Sequence, residues 1–326
     1  MAQRTSKKPP YPNHRGVATW GERRVPLEEF RAAAAAHGRR LDDRARRAAI
    51  EALRTAPPDP TPVEGAYGRV AVFGGVYANH RALAALIEDA RGRGAEALYC
   101  LGDLAGFGPN PDKVRPLLER GEVRCVRGNY EDSLAAGRED CNCGYTDPRD
   151  NHFAALAYGY AAAKTSAAFK SWMGQLPSRR RIRVGGRELL LVHGSPRRIN
   201  EFLFDSTSPT PFLEQLLDRE RVDGLLCTHT GLHWKRRLPS GRDAVNVGVI
   251  GRPANDGRSH VWYCLLESSG SALEASFVPL AYDHVGLADE MRAENLPEEF
   301  VETILGGWWT TCLEILPAKE RAASRY

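Results

Sequence analysis

The sequence lacks the features of a membrane-spanning, exported or nucleic-acid-binding protein. No apolar run approaches the roughly 18 residues of a membrane span, and no apolar core follows the basic start "MAQRTSKKPPYPNHRG". The net charge is only +4, spread over scattered arginines. The one dense basic run, "SRRRIR", is typical of a solvated face. We therefore expect a cytoplasmic protein without a membrane or nucleic-acid partner.

The cysteines also lack the even count of a disulfide framework, since there are seven of them. Cys100, Cys125 and Cys227 lie in apolar, strand-like runs, where cysteine behaves as a small hydrophobe. We expect these three to be reduced core residues. The pair Cys141 and Cys143 in "DCNCGY" has no second pair beside it, so zinc binding is weakly indicated and an exposed polar loop is favoured.

The first 66 residues differ in composition from the rest of the chain. They contain a basic lead, an alanine- and arginine-rich stretch with helical period at about residues 27–54, and the linker "TAPPDPTPVEG". Prolines stop helices and stiffen a chain. Residues 1–66 are therefore predicted to be an N-terminal helical appendage with a proline-rich linker.

Residues 67–283 contain short apolar strand candidates. The first ones alternate with amphipathic helices at about residues 81–91 and 112–120, and the later ones follow one another directly. This order predicts an α/β fold with two packed layers of mixed strands. Residues 284–326 have helical period, and we expect their two adjacent tryptophans to hold this C-terminal helical tail on the core.

Four successive strand candidates end in a polar residue on a loop, namely Asp103, Asn129, His193 and His229. Strand ends that converge at one edge of a sheet are where α/β proteins build their sites. A carboxylate, an amide carbonyl and two imidazoles suit Zn, Mn, Fe or Co better than Ca or Mg. These four residues are therefore the candidate metal ligands.

The motifs around these residues resemble those of the calcineurin-like metallophosphoesterases, particularly the small bacterial branch. The family carries D-x-H, GD, GNH, HG and GHxH in this order. The matching stretches here are "GVY" at 75–77, "GD" at 102–103, "GNY" at 128–130, "HG" at 193–194 and "THTG" at 228–231. The resemblance covers residues 67–283, and it implies a four-layer α/β/β/α sandwich with mixed sheets and metal-dependent hydrolysis of phosphoesters.

The resemblance also implies two metals bridged by Asp103, and the chain departs from it at one of them. The positions that would hold the first metal are Gly75, Tyr77 and Gly231. The residues that would hold the second metal are all present, namely Asp103, Asn129, His193 and His229. We therefore predict one divalent transition metal per chain, with His80 or His233 as the residues that can rebuild part of the other site.

Substrate contacts follow partly from the resemblance and partly from the local sequence. The family's histidine that contacts the scissile phosphate corresponds to Tyr130, which is a hydrogen-bond donor but a poor proton donor because its reference pKa is near 10. Asp103 and Tyr130 are therefore the catalytic candidates. The turn at Gly75, the helix start at Asn79 and the cation Arg197 form a predicted phosphate site.

Three functions are compatible with these residues. The first is a phosphoester hydrolase with an atypical mononuclear site, acting on a small phosphorylated molecule or a nucleotide, because a single ion can act as a Lewis acid. The alternative is a non-hydrolytic binder of metal and phosphate or nucleotide that serves as a sensor or scaffold. The third is another metal-assisted reaction, since fold does not fix function. Neither the substrate nor the oligomeric state can be read from the sequence.

Overall fold

The computed structural model describes residues 17–20, 23–26, 61–269 and 272–323. The chain divides into two compact units, Met1–Pro58 and Asp59–Tyr326. In the first unit, strand β1 (Val17–Trp20) pairs antiparallel with strand β2 (Arg23–Pro26). The helical stretch predicted at residues 27–54 lies outside the described residues, and no helix within them is long and apolar enough to cross a bilayer.

The second unit contains strands and helices in the order that the sequence predicts. Its described strands are β3 (Val63–Tyr67), β4 (Arg69–Phe73), β5 (Ala97–Cys100), β6 (Arg124–Cys125), β7 (Arg179–Val184), β8 (Arg187–Val192), β9 (Gly224–Cys227), β10 (His233–Arg237), β11 (Asp243–Val247), β12 (Val261–Ser269) and β13 (Ala272–Leu280). Its described helices are α1 (His80–Gly92), α2 (Val114–Arg120), α3 (Asn129–Ala135), α4 (Pro148–Lys164), α5 (Ala167–Gly174), α6 (Thr210–Glu220), α7 (His284–Ala293), α8 (Glu298–Gly306) and α9 (Ala318–Ala322).

The strands form two mixed sheets. One has the order β10-β11-β9-β8-β7-β3 and the other β13-β12-β4-β5-β6. Within them, β4, β5 and β6 run parallel, as do β8, β9 and β11. Strand β3 pairs with β7, so residues 63–66 of the predicted N-terminal extension lie in the larger sheet.

The two sheets pack face to face and each is covered by helices on its outer face. Val72 of β4 and Leu191 of β8 belong to the buried cluster between the sheets. Because successive residues of a strand point to opposite faces, their neighbours lie outside. Phe73 packs in a cluster with Leu86 of α1, and Leu190 packs in a cluster with α6. This arrangement is the predicted four-layer α/β/β/α sandwich.

Helix α1 begins where the sequence predicts a start. The Asn79 side chain accepts a hydrogen bond from the Ala82 N–H at 2.9 Å and so caps the helix. This bond satisfies one of the N–H groups that the first turn of a helix leaves without a backbone partner. Leu83 and Leu86 of the helix are fully buried and hold it against the five-stranded sheet.

The C-terminal residues pack over the end of the sandwich. Phe300 of α8 shares a buried cluster with Phe107 and Phe153. Trp309 follows α8 and is almost fully buried, and its indole N–H donates to the Pro253 carbonyl at 2.6 Å. These contacts bring the chain after Asp283 beside the strand ends that carry the candidate ligands.

Candidate metal centre

All four predicted ligands lie directly after a strand and are buried. Asp103 follows β5, Asn129 begins α3 after β6, His193 follows β8, and His229 follows β9. Strands β5 and β6 are parallel neighbours in one sheet, and β8 and β9 are parallel neighbours in the other. Their carboxyl ends therefore meet at one edge of the sandwich.

The ligand atoms of these four residues converge on one point. His193 Nε2 lies 3.0 Å from Asn129 Oδ1, 3.0 Å from His229 Nδ1 and 3.3 Å from Asp103 Oδ2. Within the part of the chain that the structure describes, Asp103, His193 and His229 form the one group of three or more acidic, histidine or cysteine side chains spaced to hold a metal ion.

Hydrogen bonds to backbone carbonyls orient the three neutral ligands. His193 Nδ1 lies 2.6 Å from the Leu101 carbonyl oxygen, and His229 Nε2 lies 3.1 Å from that of Cys143. Asn129 Nδ2 donates to the Cys141 carbonyl at 2.8 Å. A carbonyl oxygen only accepts, so these ring nitrogens carry the protons and the opposite nitrogens are free to bind a metal.

Four atoms that can each donate an electron pair to a metal therefore face the same point. They are Asp103 Oδ2, Asn129 Oδ1, His193 Nε2 and His229 Nδ1. Such atoms repel one another unless a cation lies among them. The two nitrogens and two oxygens fit a divalent ion such as Zn, Mn, Fe or Co, with water completing its shell.

The charges of the site favour the metal-binding forms of Asp103 and His229, whereas they favour the protonated form of His193. Burial, and then the neighbouring His193, lower the pKa of His229 to about 3, so its imidazole is neutral. Burial acts against ionisation of Asp103, but His193 and His229 outweigh it and lower the pKa of this carboxyl. Burial lowers the pKa of His193, whereas the Asp103 carboxylate raises it and prevails. A carboxylate and a neutral imidazole are the forms that coordinate metals.

Glu131 holds the two ligand-bearing turns together, a role that sequence reasoning did not assign to it. Its fully buried carboxylate accepts N–H bonds from Asp103 at 2.8 Å, Leu104 at 2.7 Å and Gly128 at 2.7 Å. Burial and the Asp103 charge raise its pKa to about 7, and the three N–H bonds oppose this shift. The sequence signal was a glutamate in the third position of a helix that begins after Gly128.

The turns themselves depend on unusual backbone conformations. Asp103 has a φ of 58° and His229 a φ of 71°, in the left-handed region that L-residues rarely adopt. Gly128 is required because a β-carbon there would lie 2.6 Å from Asp103 Oδ1 and 2.9 Å from Glu131 Oε2. The ligand geometry is therefore built into the backbone.

The loop at Cys141 and Cys143 is exposed at Asp140, Asn142 and Gly144, as expected, but its two cysteines are not. Both cysteines are buried, and they form a disulfide with each other. Their carbonyls accept the hydrogen bonds that orient Asn129 and His229. The backbone at the two cysteines therefore lines the ligand cluster. Cys100, Cys125 and Cys227 are free and buried, as predicted.

The space beside Gly75 and Gly231, where the family resemblance implies another metal, is filled. A β-carbon at Gly75 would lie 2.5 Å from Val249 Cγ1, and one at Gly231 would lie 2.6 Å from Trp309 Cη2 and 3.3 Å from Arg252 Nη2. Neither position has room for a metal-binding side chain. Apolar and aromatic groups, together with a guanidinium, occupy this half of the site.

His80 and His233 are not brought to the ligand cluster. His80 Nε2 lies 3.3 Å from Glu290 Oε1, and the His233 ring packs on Trp262 and Phe277 at centroid distances of 4.9 and 4.5 Å. Neither histidine belongs to a metal-type cluster among the residues that the structure describes.

The residues of the predicted phosphate site have protein partners. The Asn79 side chain caps α1 and also donates to the Ile250 carbonyl at 3.2 Å. Arg197 is 43% exposed and pairs with Glu201 at 3.1 Å. Neither these two residues nor Gly75 line the cavity beside the metal ligands, and a phosphate site formed by them stays a prediction.

A cavity of about 50 Å³ adjoins the ligand cluster. Its polar lining includes Asp103, His229, Tyr130, Tyr77 and Arg252, and half of the remaining lining residues are aromatic. The Tyr130 N–H donates to Asp103 Oδ1 at 3.2 Å. Burial, and then the Asp103 charge, raise the pKa of the Tyr130 phenol well above its usual value, so this hydroxyl stays protonated.

Comparison with known proteins agrees with this geometry. The chain is 24% identical over 256 residues to "Uncharacterized protein MJ0912" of Methanocaldococcus jannaschii. This alignment covers 73% of this chain and 98% of that protein. The fold is similar to a metallophosphoesterase from Sphaerobacter thermophilus, with a TM-score of 0.56, 23% identity, and coverage of 73% of this chain and 98% of that one. It is also similar to hypothetical protein PH1004 from Pyrococcus horikoshii OT3, with a TM-score of 0.61 and 24% identity, and the match covers 74% of this chain and 99% of that one.

These two structural likenesses concern the fold, and the family follows from the sequence. Residues 69–270 match the family described as "Calcineurin-like phosphoesterase superfamily domain", a match that spans more than half of the chain. With the sandwich and the buried Asp–His–His group also present, the chain belongs to the calcineurin-like phosphoesterase superfamily.

Proposed function

We propose that this protein is a metal-dependent phosphoester hydrolase with a mononuclear site. Asp103, Asn129, His193 and His229 would hold one divalent transition ion. The observation that carries the proposal is the convergence of their four lone-pair donors around His193 Nε2, at 3.0 to 3.3 Å. When bound, the ion supplies Lewis-acid polarisation of a phosphoryl oxygen and lowers the pKa of bound water.

The residues of the chain bind and orient the phosphoryl group. The Tyr130 ring lines the cavity beside Asp103, so its hydroxyl would donate a hydrogen bond to a phosphoryl oxygen. A cavity of about 50 Å³ takes the phosphoryl group of a small phosphorylated molecule or nucleotide and leaves the remainder of the substrate outside. The aromatic lining excludes water around the group, which strengthens these polar contacts.

A second function is favoured by what fills the other half of the site. Val249 and Trp309 leave no space for a ligand side chain at Gly75 or Gly231, and a tyrosine occupies the position of the family's histidine. Both changes weaken catalysis while leaving a metal and an anion able to bind. A sensor or scaffold that binds metal and phosphate is therefore the alternative.

The test combines metal analysis with a phosphoester screen. The full chain is supplied in turn with zinc, manganese, iron and cobalt, and its metal content and its hydrolysis of phosphomonoesters and phosphodiesters are measured. His229→Ala is compared with His152→Ala, a histidine on the exposed face of α4. We expect one equivalent of metal and hydrolysis in wild type and His152→Ala, and neither in His229→Ala. Metal binding without hydrolysis would select the alternative, and the absence of metal would reject both.

A further inference from the structure

Arg252 is a buried cation that has no anionic partner among residues 61–269 and 272–323. It is 6% exposed, and none of the ion pairs found in these residues includes it. Its Nε is buried without a hydrogen-bond partner. By contrast, the other buried arginine, Arg181, pairs with Glu188 at 2.7 Å. An uncompensated buried charge is costly, so a guanidinium in this state indicates a ligand.

The Arg252 guanidinium is held in a fixed plane. Its Cζ lies 3.5 Å from the ring centroid of Trp309 and 5.8 Å from that of Phe107. The Trp309 ring is itself fixed, because its indole N–H donates to the Pro253 carbonyl and its backbone N–H to Asn255 Oδ1 at 2.8 Å. Stacking stabilises the charge but leaves the N–H groups in the guanidinium plane free to donate.

The guanidinium borders the space next to the metal ligands. Among the described residues, Arg252 is the one cationic side chain that lines the cavity of about 50 Å³, where Asp103 and His229 form another part of the lining. Its Nη2 would lie 3.3 Å from a β-carbon at Gly231, the position of a metal-binding histidine in the family. A positive charge thus borders the half of the site that lacks metal ligands.

We propose that Arg252 binds a tetrahedral phosphate group and supplies the positive charge that a second metal would otherwise provide. Its planar fork of N–H donors matches two oxygens of such a group, and these charge-assisted bonds are stronger than neutral ones. A phosphate group in the cavity would contact Arg252, and Asp103 and His229 would hold the metal that supplies its second positive partner. The inference therefore rests on the proposed metal site for the second contact but not for the first.

The experiment is a calorimetric titration of the metal-loaded chain with inorganic phosphate and, separately, with methyl phosphate. The variants are Arg252→Gln and Arg252→Lys, and the matched control is Arg292→Gln, an exposed arginine paired with Glu298 at 2.6 Å. We expect Arg252→Gln to weaken phosphate binding at least about tenfold and Arg252→Lys to recover part of it. Metal content should be the same in all four proteins, and Arg292→Gln should bind phosphate like wild type.

The two probes distinguish free phosphate from the phosphate end of an ester. Equal loss of both on Arg252→Gln indicates recognition of the phosphate group itself. Wild-type affinity of Arg252→Gln for both probes, or no phosphate binding by the wild-type chain, overturns the proposal. If Arg252→Gln does not fold, the comparison of wild type with Arg252→Lys decides, because lysine keeps the charge and loses the fork.

Repeating the titration on metal-free protein separates this proposal from that of the metal site. A chain that takes up no metal but binds phosphate in an Arg252-dependent way rejects the metal site and keeps the anion site. A chain that takes up one metal and binds phosphate independently of Arg252 keeps the metal site and rejects the anion site at Arg252.

Discussion

His193 and His229 face each other through one ring nitrogen each. His193 Nε2 lies 3.0 Å from His229 Nδ1, while the other nitrogen of each ring donates to a backbone carbonyl, of Leu101 and Cys143 respectively. Two lone pairs at this distance repel unless a proton or a cation lies between them. A metal ion bound at this point would hold these two nitrogens together with the Asn129 and Asp103 oxygens that are directed at it.

The first prediction concerns the stability gained from metal. The native site binds the ion and the unfolded chain lacks the site, so metal at 100 times its dissociation constant should stabilise the fold by about 2.7 kcal/mol. Thermal unfolding with and without zinc or manganese measures this gain. We expect it in wild type and in Tyr77→Phe, and we expect it to vanish in His193→Ala. An equal shift in His193→Ala would mean that the ion binds elsewhere.

The second prediction concerns the filled half of the site. Gly75→Asp restores a family ligand in sequence but places a β-carbon 2.5 Å from Val249 Cγ1. Overpacking of this kind costs about 1–3 kcal/mol. We therefore expect Gly75→Asp to lower the free energy of unfolding without adding a second metal, as measured by denaturant titration and elemental analysis.

The matched control is Gly137→Asp. Gly137 also has a positive φ, of 64°, but a β-carbon there meets no atom within 4 Å. The difference between the two variants isolates the steric cost from the backbone cost. A Gly75→Asp chain that is as stable as Gly137→Asp and holds two metals per chain would contradict the filled-site interpretation.

The sequence predicted that Asp103, Asn129, His193 and His229 converge, because their signal is local. Each follows an apolar strand, and parallel strands bring their carboxyl ends to one edge of a sheet. The groups that fill the space beside Gly75 and Gly231 were not predictable in this way. Trp309 and Arg252 reach Gly231 from distant parts of the chain, and no periodicity encodes such a contact. The start of helix α1 at Asn79 was predictable, because a capping side chain is also a local signal.

The third prediction concerns the loop that orients two ligands. The Cys141 and Cys143 carbonyls accept hydrogen bonds from Asn129 and His229, and the disulfide between the cysteines constrains both carbonyls. Loss of such outer contacts typically weakens metal affinity by about 10- to 100-fold. We expect the double variant Cys141→Ser with Cys143→Ser to bind zinc at least about tenfold more weakly by calorimetry.

Glu139→Gln is the control, because this residue is exposed and lies just before the same loop. Zinc affinity of the double serine variant equal to that of Glu139→Gln would show that the disulfide is not needed to position the carbonyls.

The fourth prediction concerns Glu131. In the wild-type protein, one Glu131 carboxylate oxygen accepts hydrogen bonds from the backbone N–H groups of Asp103 and Gly128. Glu131→Gln keeps the shape of the side chain but directs an NH₂ group at backbone N–H donors of this kind. Leaving a buried donor unsatisfied costs about 1–3 kcal/mol. We expect a loss of this size in the free energy of unfolding, together with weaker metal binding. Glu119→Gln, on the exposed face of α2, should leave both measurements unchanged.

The last prediction concerns acid stability and the Glu290 carboxylate of α7. Glu290 bonds to Arg81 at 2.6 Å and to Lys113 at 2.7 Å. Burial acts to raise its pKa, but these two cations and His80 outweigh burial and lower the pKa from 4.5 to about 2. A carboxyl with a lowered pKa in the folded state stabilises the fold above pH 4.5, and this stabilisation is lost as the pH falls towards 2. The shift corresponds to at most about 3 kcal/mol.

Glu290→Gln should therefore be less stable than wild type at pH 7, and the difference in the free energy of unfolding should shrink as the pH falls from 4.5 towards 2. Denaturant unfolding at a series of pH values measures it, with the exposed Glu88→Gln as control. A constant difference from pH 6 to pH 2 would mean that lost packing, rather than the ion pairs, accounts for the effect of the substitution.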